Sequence, residues 1–236
     1  MIAQLRTVAE ALLSFVAPLQ CLICSRRGEH TEGIGAFVCP TCWSNLPVAP
    51  PAERLFNELL RHFPDDELAL SAVCAAFAFA EHSPEMRLIY GLKYRGLWRA
   101  AYLLGQHLGR VVCTELGTSG DALVPVPIHP SRRRERGYNQ SEALAKGIAA
   151  VTGQPVWSDL LQRRVATPSQ TRLSAAQRRS NVAGVFAVRD PERLRGRTVL
   201  LVDDVLTTGS TLNSCAEALL NAGACRVLAA VLVRAS

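Results

Sequence analysis

Residues 199–212, Val-Leu-Leu-Val-Asp-Asp-Val-Leu-Thr-Thr-Gly-Ser-Thr-Leu, set a short apolar run directly before two adjacent carboxylates, a hydroxyl-rich turn and a second apolar stretch. A continuous apolar run over 199–202 reads as a strand buried on both faces, the kind that parallel sheets use. Ligands of such sheets sit beyond the carboxyl ends of the strands. Asp203 and Asp204 are expected at that end, where carboxylates accept hydrogen bonds from vicinal hydroxyls or hold a hard cation such as Mg²⁺. Thr207, Thr208, Gly209, Ser210 and Thr211 then supply hydroxyls and backbone N–H groups at the start of a helix expected over 212–222, where donors and dipole both favour a phosphate. An ordinary strand–turn–helix with an Asp-rich cap explains one acid and one threonine. It does not explain both acids at the end of a buried strand, where an unpartnered charge pair is costly.

The chain is long enough, at 236 residues with 49% apolar content, for one α/β domain and a small appendage. Its net charge of +6 is uneven: between Pro125 and Leu200 stand fourteen Lys and Arg against five Asp and Glu. Such an excess suits anionic ligands, either small pyrophosphate-bearing molecules or nucleic acid, and is also what a basic solvated surface looks like. No apolar run reaches the roughly 18 residues that a membrane helix needs, so no transmembrane segment is expected. Residues 1–16 read as an amphipathic helix with Leu5, Val8, Ala9, Leu12 and Leu13 on one face.

Four of the eight cysteines form two CxxC pairs, Cys21 with Cys24 and Cys39 with Cys42, fourteen residues apart. Two such turns close a tetrahedral thiolate shell around Zn²⁺ and leave no open position, so the metal is expected to be structural. A redox CxxC would need only one motif beside a helix N-terminus. The other cysteines, Cys74, Cys113, Cys215 and Cys225, lie in apolar or helical stretches, which points to a reducing, cytoplasmic setting. Prolines 47, 50 and 51 mark the exit from this knuckle, giving an expected division into an N-terminal helix and four-cysteine zinc knuckle over 1–50, a linker over 51–66 and the main domain over 67–236.

Within the main domain a strand is expected over 71–80, with Phe77 and Phe79 on one face. Ser83-Pro84-Glu85 reads as a helix start, with Ser83 as N-cap and Pro84 at the first position, leading into a helix broken near Gly91 and Gly96. A short strand follows over 121–127, then a basic loop with Arg132, Arg133, Arg134 and Arg136 that ends in Gly137-Tyr138-Asn139 and opens into a helix over 142–151. Arginine grips pyrophosphate oxygens in pairs, so this loop is a second expected anion site. The polar, cationic stretch from Leu161 to Phe186 reads as a lid that covers and neutralises a diphosphate. Gly223 is expected to end the last helix, before a strand over 227–233.

The segment from Asp203 to Thr211 resembles the phosphoribosyl pyrophosphate (PRPP) signature of the type I phosphoribosyltransferases. The paired CxxC, Leu92-Lys93-Tyr94-Arg95-Gly96, Val124-Pro125-Val126-Pro127 with Arg136-Gly137-Tyr138-Asn139-Gln140-Ser141, and Thr167, Gln170, Leu173, Arg178 and Asn181 extend the likeness over nearly the whole chain, which resembles the ComF family of ComFC/GntX-like proteins. That resemblance implies an α/β fold of the type I phosphoribosyltransferase kind: a twisted, mostly parallel sheet flanked by helices, with a small N-terminal zinc-binding subdomain. It implies a ribose-phosphate site for PRPP and Mg²⁺ at Asp203, Asp204 and Thr207 to Thr211, and a pyrophosphate loop carrying Arg136, Gly137 and Asn139. Arg178 would be added from the lid. It also implies a connection to natural transformation and DNA uptake. The glutaminase half of the purine amidophosphoribosyltransferase needs an N-terminal cysteine nucleophile, and the first cysteines here belong to the CxxC pairs.

Two functions stay open at this point. In the first, an enzyme loosens the bond between ribose C1 and pyrophosphate toward an oxocarbenium-like state, and an amine or base captures it. The twin acids would steady the ribose and the arginines the departing pyrophosphate. In the second, a non-catalytic accessory protein for transformation binds single-stranded DNA through its knuckle, a basic groove and Trp43, Tyr94, Trp98 and Tyr138, with PRPP or a nucleotide as regulator. A third role, docking of the helix over 1–16 onto a transformation helicase or channel protein, is compatible with either.

Overall fold

The computed structural model describes residues 20–27, 33–63, 67–118, 120–163 and 185–235. The helix expected over 1–16, and the lid residues Thr167, Gln170, Leu173, Arg178 and Asn181, lie outside the described residues. In chain order the elements are α1 (Pro40–Ser44), α2 (Ala52–Leu60), β1 (Ala72–Phe79), α3 (Met86–Tyr94), α4 (Trp98–Glu115), β2 (Ala122–Pro125), α5 (Pro130–Arg136), α6 (Gln140–Thr152), β3 (Leu161–Arg163), β4 (Phe186–Val188), α7 (Pro191–Leu194), β5 (Thr198–Leu206), α8 (Ser210–Asn221) and β6 (Arg226–Ala235).

Four strands form one parallel sheet in the order β1-β6-β5-β2, and β3 pairs with β4 as a separate antiparallel ribbon. The expected α/β architecture with a parallel sheet between helices is therefore present. Both faces of the sheet are covered, which is why its strands carry apolar residues at successive positions rather than in alternation with polar ones. On one face Leu123, Leu200, Val202, Leu228 and Ala230 meet α3, α4, α6 and the cysteine knuckle. On the other, Val124, Val199, Leu201, Val227 and Ala229 meet α2, α7, α8 and the ribbon. The stretch expected as a linker holds α2, whose Leu55 and Leu59 are buried in this second layer.

Helices α4 and α6 meet backbone to backbone. A Cβ on Gly147 would stand 2.1 Å from the Tyr102 carbonyl oxygen, and one on Gly105 would stand 2.2 Å from that of Leu144. This close approach is open only to glycine. It brings the start of α6 against the sheet beside β5.

Several local expectations are corrected. The strand expected to stop at 202 continues through both acids to Leu206, because β6 remains beside it to pair with: Asp203 with Val231, Val205 with Val233 and Leu206 with Arg234. Ser83 makes no cap, and its hydroxyl is buried without a hydrogen-bond partner. Residues 83–85 instead enter α3 through tight turns, such as Met86 N–H to Ser83 O at 3.1 Å, so the helix proper starts at Met86. Gly91 does not break α3. It lets Leu22 of the knuckle pack onto the helix, and the break falls at Gly96, whose φ is +64°. The arginine loop is a short helix, α5, with the His129 ring nitrogen accepting from Ser131 N–H at its start and Gly137 (φ +77°) at its end. Trp43, considered for base stacking, packs edge-on against Phe77 and His107. At the end of α8 the expected role of Gly223 holds: its φ is +104°, and Gly223 N–H to Leu220 O and Ala224 N–H to Leu219 O close the helix.

Candidate functional site

Along the sheet, the register pairs of β1 with β6 and of β5 with β6 run without a gap except at one level, where Ala76, Leu232 and Asp204 belong to no pair. Beyond it the faces exchange, since Phe77, Val233 and Val205 pack into the first layer next to Ala76 and Leu232. Strict alternation would send adjacent acids to opposite faces. Here both are met by first-layer elements. Ser141 of α6 donates its hydroxyl to Asp203 Oδ1 at 2.8 Å, and Lys93 of α3 places Nζ 3.0 Å from Asp204 Oδ2.

The electrostatics follow from this crowding. Burial, together with the neighbouring Asp204 carboxylate, pushes Asp203 up to about 7, against the pull of Ser141, the Asp204 N–H and Lys93. Asp204 is 4% exposed, and its Oδ2 is buried without a hydrogen bond. A buried carboxylate oxygen with capacity to spare is what a hard cation or a diol hydroxyl can use. The residues present therefore fit Mg²⁺.

The cup beyond the acids is built by Gly209. Its φ of +82° starts α8 in a left-handed conformation, and a Cβ there would lie 2.9 Å from Leu59 Cδ2. The first turn of α8 carries no acid, and Thr208 and Ser210 exchange a hydroxyl hydrogen bond of 2.9 Å. A cavity of about 40 Å³ is lined by Asp203 and by Thr207, Thr208, Gly209, Ser210 and Thr211. The N–H groups of a helix's first turn have no intrahelical acceptors and favour an anion there.

The second expected anion site is more built than a loop would be. Asn139 spends its amide on the backbone, donating to Val126 O at 3.0 Å and accepting from Ser141 N–H at 3.1 Å, so it locks the turn that presents Ser141 to Asp203. Arg136 lies with its guanidinium 5.3 Å from the Tyr94 ring centroid, and Nη1 reaches Gln140 Oε1 at 3.3 Å. Its Nε is buried without a partner. Tyr138 donates its hydroxyl to Leu92 O, and burial and the nearby Asp204 push it up to about 12, so the proton stays in place. Between this turn and the β3–β4 ribbon lies an open cavity of about 460 Å³ whose walls include Asn139, Arg133, Arg163 and Arg189. No local pattern marks Arg189; it reaches the same cavity wall as Arg163 only because the ribbon's pairing continues to it, with Arg189 N–H donating to Leu160 O at 2.9 Å.

The cysteine knuckle is assembled as expected. The ligand atoms of Cys21, Cys24, Cys39 and Cys42 all lie within 4.8 Å of one another, and Cys24 and Cys39 Sγ are 3.9 Å apart. Sulfurs about 3.8 Å apart are what a tetrahedral ion with bonds of ~2.3 Å requires. Cys39 N–H points at Cys21 Sγ at 3.4 Å. Burial raises Cys21, but N–H groups of Cys24, Cys39 and Ile23 outweigh it and bring it down to about 6, while burial and its thiol neighbours raise Cys42. A thiol at Cys21 held low among three neighbouring sulfurs suits a metal.

No described helix is long and apolar enough to cross a membrane. A family model for the phosphoribosyl transferase domain matches residues 145–236. The chain is 34% identical over 223 residues to DNA utilization protein YhgH of Escherichia coli strain K12, covering 88% of this chain and 86% of that one. It is 36% identical over 104 residues to Competence protein F of Haemophilus influenzae, covering 44% and 45%. To Competence protein ComFC of Bacillus subtilis it is 30% identical over 101 residues, covering 43% and 39%. The parallel sheet, the acid pair before a helix cup and the thiol cluster agree with these likenesses, and the chain belongs to the ComF family of phosphoribosyltransferase-like proteins.

Proposed function

We propose that this protein binds PRPP, or a closely related ribose phosphate, together with Mg²⁺, in connection with the handling of DNA taken up in transformation. The observation that carries the reading is the meeting of three features at one sheet end: the acid pair with a spare buried oxygen on Asp204, the glycine-started cup at α8, and the turn fastened to Asp203 through Ser141. Asp203 and Asp204 hold the ribose side and the metal, residues 207–211 take the 5′-phosphate, and Arg136, Gly137 and Asn139 belong to the pyrophosphate side. Mg²⁺, when bound, offsets the charge of the phosphates. The knuckle holds Zn²⁺ as a structural ion.

In the catalytic form of this reading an amine or base displaces pyrophosphate from ribose C1. Calorimetry with PRPP and Mg²⁺ on the wild type, Asp203→Asn and Asp204→Asn tests binding, and pyrophosphate release with a panel of bases and amines tests transfer. No heat of binding in the wild type would end the reading.

A second reading, a single-stranded-DNA-binding accessory protein regulated by PRPP or nucleotide, draws on one observation. Tyr90, Tyr94 and Trp98 are 53%, 63% and 60% exposed, and cations Arg95, Arg99 and Arg136 are near in sequence or contact. Bases stack on such rings for about 1–3 kcal/mol each. DNA affinity that falls with salt and with Trp98→Ala, yet survives Asp204→Asn without any turnover, favours this reading over the first.

A further inference from the structure

We propose that Lys93 is the placeholder cation of the acid pair: it neutralises Asp204 in the ligand-free protein and transfers to the ligand's phosphate oxygens when a divalent cation takes Asp204 over. The proposal deepens the ribose-phosphate reading and rests on it.

A carboxylate as buried as Asp204 needs a counter-charge. Among the described residues Lys93 is its only ion-pair partner, at 3.0 Å, with 23% of the lysine side chain and 6% of the aspartate side chain exposed. Yet Asp204 Oδ2 accepts no hydrogen bond. The contact is one of charge without an aligned donor, so it stabilises the carboxylate without filling its lone pairs.

A divalent cation at the same oxygen would repel the ammonium group, and the two cannot share it in a low-dielectric site. Lysine is suited to give way, because its charge sits on a flexible four-carbon stem. The backbone that carries it is not. Helix α3 is held on one side by the knuckle, with Leu22 against Gly91 and Arg87 Nη1 donating to Ile23 O at 3.0 Å. On the other side Tyr138, from the pyrophosphate turn, donates to Leu92 O, one residue before Lys93. The exchange is therefore a movement of one side chain over a fixed helix end. The displaced ammonium needs an anion to replace the one it has lost, and a ligand that brings its metal to Asp204 also brings phosphates. Lys93 thus acts twice, first as a competitor for the metal and then as a grip on the ligand.

The test compares the full-length wild type, Lys93→Met and Lys93→Arg by calorimetry, with Mn²⁺ alone and with PRPP in excess Mg²⁺, after thermal unfolding has verified that each variant folds. The expected signature has opposite signs. Lys93→Met binds Mn²⁺ alone about fivefold or more tightly than the wild type, because the competitor is gone. It binds Mg²⁺·PRPP about tenfold or more weakly, because a charge-assisted contact is lost. Lys93→Arg restores much of the PRPP affinity. Should Lys93→Met fail to fold, Lys93→Gln carries the same comparison. Both affinities moving in the same direction, or unchanged Mn²⁺ affinity, overturns the proposal. A wild type that does not bind Mg²⁺·PRPP overturns the ribose-phosphate reading instead, and the Mn²⁺ comparison still decides whether Lys93 competes for Asp204.

Discussion

The hydroxyl of Ser141 donates to Asp203 Oδ1 at 2.8 Å, joining the first turn of α6 to the end of β5. One hydrogen bond thus links the two halves of the proposed site, and it also steadies the charged form of an acid that burial pushes up to about 7.

Removing that donor in Ser141→Ala is expected to raise Asp203 further and to weaken Mg²⁺·PRPP binding more at pH 6.5 than at pH 8.5, since the acid must be ionised to hold a cation. The buried bond contributes roughly 0.5–1.5 kcal/mol, or about two- to tenfold in affinity at neutral pH. Calorimetric titrations at the two pH values check this, and an equal loss at both would separate Ser141 from the titration of Asp203.

The same acid makes stability depend on pH. Its value rises from 3.8 in the unfolded chain to about 7 in the fold, so the folded state keeps the proton longer. The contribution to stability is full below pH ~4 and is lost as the pH rises through ~7. Denaturant unfolding at pH 5 and pH 8 should show the wild type losing more stability across the interval than Asp203→Asn. An equal loss would contradict the assignment.

The thiol cluster is expected to support the main domain as well as itself, because between Cys21 and Cys24 the Leu22 side chain packs on Gly91 of α3 and the Ile23 carbonyl accepts from Arg87 of the same helix. Cys39→Ser should abolish stoichiometric zinc by elemental analysis. It should also lower Tm by several degrees, at about 2–4 °C per kcal/mol for a chain of this size. Loss of zinc with an unchanged Tm would show that the knuckle does not brace α3.

Gly147→Ala tests the contact of α4 with α6. Its methyl group would stand 2.1 Å from Tyr102 O, backbone that cannot turn aside. Overpacking costs about 1–3 kcal/mol, occasionally more. A fall in Tm of about 4 °C or more by calorimetry is expected, with weaker ligand binding, because α6 carries Ser141. A variant as stable as the wild type would mean that the helices separate freely.

Much of the site was legible along the chain because its parts are local. A buried strand entering acids, then threonines, then glycine and a helix start has its chemistry in one short segment, and the four cysteines declare their own geometry through two short turns. The extension of β5 through the acids was not legible, because it depends on β6 still being alongside. Helix α5 has no apolar stripe to betray it. What makes it helical is a histidine cap, Pro130 at its first turn and Gly137 at its end. The sequence by itself determined the α/β class, the acid pair, the cup and the thiol set, since each follows from residue type and spacing within a few positions. Only the tertiary structure decided that Lys93 would meet Asp204, that Ser141 would hold Asp203 and that Trp43 would turn inward. Those contacts join residues far apart in the chain, and long-range contacts follow from how helices and sheet pack rather than from any local pattern.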